Sequence, residues 1–124
     1  MQKKALVQAE LKKLHSPDAF DLEGFSPDGS FGILVQTMVG PLGSDGEESF
    51  DVVVCTTEWF AANMNSEIVS GRHHLFVKQY DYQALRRYIE NYCDSCQGES
   101  WEAVSVKLGR LGHWEFEDYM PRRN

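Results

Sequence analysis

Between Lys13 and Arg72 the chain contains neither lysine nor arginine. Those 58 residues, Leu14 to Gly71, carry ten carboxylates: Asp18, Asp21, Glu23, Asp28, Asp45, Glu47, Glu48, Asp51, Glu58 and Glu67. The stretch has a formal charge of −10 and the rest of the chain +3, for a total of −7 over 124 residues. A protein that neutralises nucleic-acid phosphates needs a basic stripe, which this half has no means to supply, so nucleic acid is not an expected partner. The same field attracts a basic protein and speeds its docking. An acidic face that only keeps the domain soluble is the plainer alternative.

Other absences narrow the class further. No stretch approaches the roughly 20 apolar residues that cross a bilayer, so no membrane association is expected. The start, Met1-Gln2-Lys3-Lys4, is basic, but Gln8, Glu10, Lys12 and Lys13 break up the apolar residues after it, so this end does not read as a signal peptide. The expected location is the cytoplasm. The three cysteines Cys55, Cys93 and Cys96 leave one unpaired in any disulfide scheme, so reduced thiols are expected. There is no internal repeat or low-complexity tract. Hydrophobic residues at 42% and charged residues at 25% fit a soluble globular chain, and the length fits one domain over residues 1–124.

The pattern of apolar residues gives an α+β order. Ala5 to Leu14 reads as a first strand, with a short helix as the competing reading. Ser16-Pro17-Asp18 and Ser26-Pro27-Asp28-Gly29 form turns with loop between them. Phe31 to Val39 reads as a buried strand closed by Gly40-Pro41, and it forms a hairpin with Phe50 to Cys55 across a glycine-rich connection. Thr56 caps a short helix with Glu58 in its first turn and Trp59, Phe60 and Met64 as anchors. His74 to Gln79 reads as a strand. Asp81 caps the clearest helix, whose stripe is Leu85, Tyr88, Ile89, Tyr92, Cys93 and Cys96. Ser100 caps another bearing Trp101, Val104, Leu108 and Leu111, ended by Gly112. Trp114 to Glu117 alternates as a last strand, with its aromatics inward and its carboxylates outward, and Pro121 to Asn124 reads as a frayed tail. The fold class is therefore α+β, a mainly antiparallel sheet of about five strands with about three helices packed on it.

No active site emerges from the motifs. Cys93-x-x-Cys96 has ligand-like spacing, but a structural zinc site wants a second matched pair, and both thiols lie on an apolar helical stripe. No Gly-x-Ser-x-Gly elbow marks a nucleophile, and His15, His73, His74 and His113 read as decorations of turns and strand edges. The loop Gly40 to Gly46 lacks the Gly-Lys-Ser/Thr ending of a phosphate loop and runs into Glu47 and Glu48, which repel phosphate. Its acids lack calcium-loop spacing. No catalytic residue, metal or cofactor is assigned.

Three segments then carry a resemblance: Glu10-Leu11-Lys12-Lys13-Leu14-His15-Ser16-Pro17-Asp18 through Asp21-Leu22-Glu23; Gly46-Glu47-Glu48-Ser49-Phe50 leading to Val54-Cys55-Thr56-Thr57-Glu58-Trp59; and Gly98-Glu99-Ser100-Trp101-Glu102 leading to Trp114-Glu115-Phe116-Glu117-Asp118-Tyr119. Together they resemble the immunity protein 8 family of bacterial polymorphic toxin systems, from about Ala5 to Tyr119. A proline often follows the Cys-Thr pair in that family, and Thr57 stands there here. The resemblance implies a small cytoplasmic α+β protein, encoded beside a toxin gene, that protects its producer by binding the toxin, with no catalysis and no cofactor. The partner-binding residues expected from the acidic pattern are Asp45, Glu47 and Glu48 in the hairpin loop, Glu58, and Glu115, Glu117 and Asp118 at the last strand. A monomer is favoured over a dimer. The alternatives of other classes are a non-catalytic adaptor or regulatory domain for another basic protein, and a small hydrolase or metal-dependent enzyme.

Overall fold

The computed structural model describes residues 5–118. Six strands and three helices run in the order β1 (Val7–His15), β2 (Gly32–Pro41), β3 (Glu48–Cys55), α1 (Thr57–Ala62), β4 (His74–Phe76), α2 (Tyr82–Asp94), β5 (Gln97–Gly98), α3 (Trp101–Leu108) and β6 (His113–Trp114). The sheet order is β4-β3-β2-β1-β5, with β6 also paired to β3. All pairings are antiparallel except that of β4 with β3. The α+β class expected from the sequence is the one found.

The first segment is a strand and not a helix. Its alternation places Ala9 and Leu11 inward, and a bulge between Leu11 and Lys13 resets the phase so that Leu14 also points inward. On β2 the inward set is Ile33, Val35, Thr37 and Val39, and on β3 it is Phe50, Val52 and Val54, all buried. Leu85, Ile89 and Cys93 of α2 and Val104 and Leu108 of α3 cover this face and complete one core. Caps fall where the sequence puts them: Thr56, Asp81 and Ser100 accept hydrogen bonds from the backbone of Trp59, Ala84 and Ala103.

Several expectations are corrected. β2 runs through Gly40 and Pro41, because β3 pairs only as far as Val39 and the missing N–H of Pro41 has no ladder on that side to break. β4 stops at Phe76, well short of Gln79. The last strand is confined to His113–Trp114, and the chain turns away before its carboxylates can alternate along a sheet. Gly109, not Gly112, caps α3. Tyr88 is exposed, and Cys96 joins the core from just beyond the end of α2. Met64 lies outside α1 and is exposed. The tail Pro121 to Asn124 lies outside the described residues.

Candidate functional site

Helices α2 and α3 cover one face of the sheet, and the other face is largely open. Along β2 the outward positions read Gly32, Leu34, Gln36, Met38 and Gly40. The two glycines mark places where other parts of the chain come down onto the strand. A Cβ at Gly32 would lie 2.2 Å from the indole of Trp59 in α1, and one at Gly40 would lie 1.8 Å from the carbonyl oxygen of Gly46 in the β2–β3 connection. Between these covers Leu34, Gln36 and Met38 stay partly exposed, as do their cross-strand partners Val53, Asp51 and Ser49. Lys13 and His15 flank this floor from β1, paired with Met38 and Gln36. His113 flanks it from β6, paired with Asp51.

Asp51 sits at the centre of that floor. Its Oδ1 is buried and has no hydrogen-bond partner. Burial pushes its carboxyl above the ordinary range, and Glu115 pushes the same way, while His113 and His15 pull it back.

The seven expected partner-binding carboxylates divide by geometry. Asp45 and Glu47 are exposed on the hairpin connection, and Glu47 meets the ammonium of Lys13 at 3.3 Å. Glu48 points inward. Its Oε1 accepts from Nε1 of Trp101 at 2.8 Å, and its Oε2 accepts from Nε1 of Trp114. Glu115 Oε1 accepts the backbone N–H of Ser49 at 2.9 Å, which brings the C-terminal segment beside the hairpin. Glu117 accepts a two-pronged hydrogen bond from Arg72 at 2.8 and 2.9 Å, and that guanidinium holds its carboxyl below the ordinary range. Asp118 is exposed, at a left-handed φ of 62°. Glu58 lies in the first turn of α1, beyond the opposite end of β3, more than about 20 Å along the strand from the hairpin. Glu115 thus lies beside the hairpin that carries Asp45 and Glu47, Glu117 and Asp118 lie by Arg72 and His113 at the edge of β3, and Glu58 stands apart.

The ten carboxylates of the acidic stretch spread over the fold in the same way. Asp18, Asp21, Glu23 and Asp28 precede β2 and Glu58 follows β3 at one end, Asp45 and Glu47 sit at the other, and Asp51 lies midway. Asp18 is tied down by accepting the N–H of Leu34 at 2.9 Å. The charge run of the sequence is not one patch.

Cys93 and Cys96 face the core. Burial pushes the Cys93 thiol up to about 12, which makes it an inert apolar group at neutral pH. Among the described residues no group of three or more His, Cys, Asp or Glu side chains is arranged to hold a metal ion, and no helix is long and apolar enough to cross a membrane. A surface cavity of about 550 Å³ is lined by Phe25, Thr56, Glu58, Lys78 and Tyr80 beside loop backbone. The Tyr80 hydroxyl there donates to the carbonyl of Leu22, and burial raises its pKa to about 12, so it serves to hold the loop.

The model of the family described as immunity protein 8 matches residues 9–119. The chain belongs to the immunity protein 8 family. No curated protein and no solved structure matches it. Members of that family are immunity proteins against toxins. Sequence reasoning passed over Asp51 as one acid among ten. The alternation of β3 already sets it opposite in phase to Phe50, Val52 and Val54, but its placement against Gln36 and His113 requires the register.

Proposed function

We propose that this protein neutralises a cognate bacterial toxin by stoichiometric, non-catalytic binding in the cytoplasm of the cell that makes it. The match to the immunity protein family over residues 9–119 carries this reading. The exposed carboxylates Asp45, Glu47 and Glu115 at the hairpin end support the finer proposal that they face a basic substrate groove of the toxin, with Glu117 and Asp118 beside Arg72, and Glu58, as more distant contacts. Glu48 contributes by holding the two tryptophans under that surface. Protection demands tight binding, and a subnanomolar Kd corresponds to more than about 12 kcal/mol. Fast, charge-steered association combined with a few anchor contacts meets that demand better than area alone.

The test is co-expression with the C-terminal domain of the secreted protein encoded beside this gene. Restored growth together with a 1:1 complex in light scattering is the expected result. Growth arrest that persists despite soluble expression of both chains overturns the proposal.

A further inference from the structure

The acid-rich loops are the obvious charged features, but the outer sheet face has a less ordinary property: a half-buried carboxylate with one oxygen left without a hydrogen-bond partner. Asp51 Oδ1 lacks a hydrogen-bond partner, and an orphaned buried acceptor costs the fold its full desolvation penalty. The apolar side chains Leu34, Met38 and Val53 lie around it as the outward residues of β2 and β3. Asp18 stands at one border of the floor and Glu115 at the other, bonded to the backbone of Leu34 and Ser49. None of these three carboxylates forms an ion pair with a lysine or arginine among the described residues. The nearest opposing groups are the imidazoles of His15 and His113, one on each side of Asp51. The covers over Gly32 and Gly40 bound the floor at both ends and leave its middle open.

The geometry points to this outer face of β1, β2, β3 and β6 as the docking surface for the toxin domain, which inserts a lysine or arginine side chain against Asp51 and lays apolar surface on Leu34, Met38 and Val53. The inference rests on the toxin-binding reading and names its interface. The occupant is a basic one because Asp51, Asp18 and Glu115 stand without a lysine or arginine partner on this face, where Lys13 is paired with Glu47, and a partner cation supplies what Asp51 lacks. A neutral or acidic partner would bury Asp51 more deeply with nothing in return. The arrangement also explains why an unfavourable carboxylate stands in the middle of the sheet: it weakens the free protein and is compensated in the complex. Relief of that penalty on binding favours slow dissociation, whereas the exposed hairpin carboxylates act on the approach.

The test measures the affinity of the full chain for the toxin domain encoded beside it by titration calorimetry, alongside thermal unfolding and sedimentation of the free protein. Asp51→Asn is nearly isosteric and removes the charge. It is expected to weaken binding by at least about thirtyfold, mainly through faster dissociation, while the unfolding midpoint of the free protein at pH 7 is unchanged or raised. Met38→Lys, on the same floor, is expected to weaken binding too. Gln83→Lys, on the exposed side of α2 across the sheet, is expected to leave it unaltered. If the wild type binds and both floor variants bind equally well, the interface lies elsewhere and the inference is overturned while the immunity reading stands. If the wild type does not bind, that reading fails and the inference with it. A concentration-dependent dimer that Met38→Lys disrupts would assign the face to a second copy of the chain and would likewise overturn it.

Discussion

Glu48 and Trp114, 66 residues apart in the chain, are joined by a hydrogen bond from the indole nitrogen to the carboxylate, whose other oxygen takes the indole of Trp101. One acidic side chain thereby ties the start of α3 and the short strand β6 to the first residue of β3. The same indole of Trp114 stacks on Phe50 at 6.3 Å, so the carboxylate fixes the orientation of an aromatic that closes the core edge. A residue that reads in sequence as part of an acidic loop is a structural clamp.

Glu48→Ala leaves two half-buried indole N–H groups without their acceptor. The expected loss is about 2–4 kcal/mol of stability, from the desolvation cost of the orphaned donors, measured as a lower urea midpoint with an unchanged slope. Glu48→Gln keeps one acceptor oxygen and is expected to lose less. Equal stability of the alanine variant and the wild type would show that the bonds contribute nothing net.

The outward glycines of β2 make a second prediction. Gly32→Ala places a methyl group within the ring of Trp59, so α1 must lift or the indole must rotate. The expected cost is about 1–3 kcal/mol, accompanied by a red shift of tryptophan emission as Trp59 becomes wetter. Adding Trp59→Ala removes the clash, so the double variant should lose less than the sum of the two single losses.

The Arg72–Glu117 pair sets an acid dependence. The Glu117 carboxyl is held below its ordinary range by Arg72, so its contribution is present above the pKa of the unfolded chain and is lost as pH falls through the lower folded value. Glu117→Gln should flatten that part of the stability-versus-pH curve, on the acid side of the ordinary glutamate range. Asp51 has the opposite sign: its carboxyl is raised, so stability falls as pH rises from the unfolded pKa through the folded one. Asp51→Asn should therefore gain on the wild type toward neutral pH and match it in acid. Chemical denaturation at a series of pH values reads both slopes.

The exposed hairpin carboxylates are expected to act on the rate of encounter. Asp45→Lys with Glu47→Lys should slow association with the toxin domain several-fold at low salt and flatten the dependence on ionic strength, leaving dissociation nearly unchanged. Stopped-flow mixing at several salt concentrations measures this directly. An on-rate unaffected by the double reversal would remove the loop from the steering surface.

Local chemistry made much of this fold legible. Thr56, Asp81 and Ser100 each precede a helix and cap it, because a short oxygen-bearing side chain satisfies the first free N–H groups whatever the tertiary context. The alternation from Phe31 to Val39 and from Phe50 to Cys55, across a glycine-rich connection, specified the central hairpin. Family membership was likewise readable from the residues. The ends of short edge strands were not, because β4, β5 and β6 exist only through their partners: Trp114 extends along Phe50, and nothing in Glu115 to Glu117 alone says that the chain turns there. The acidic stretch from Leu14 to Gly71 behaves the same way. Sequence determined its charge, but two strands of opposite direction carried its carboxylates to both ends of the sheet. Only the register of β1, β2, β3 and β6 placed Asp51 between His15, Gln36 and His113 with one oxygen unpaired. Helix caps and strand phase are properties of a few neighbouring residues, whereas a shared surface depends on which distant residues the assembled sheet sets side by side.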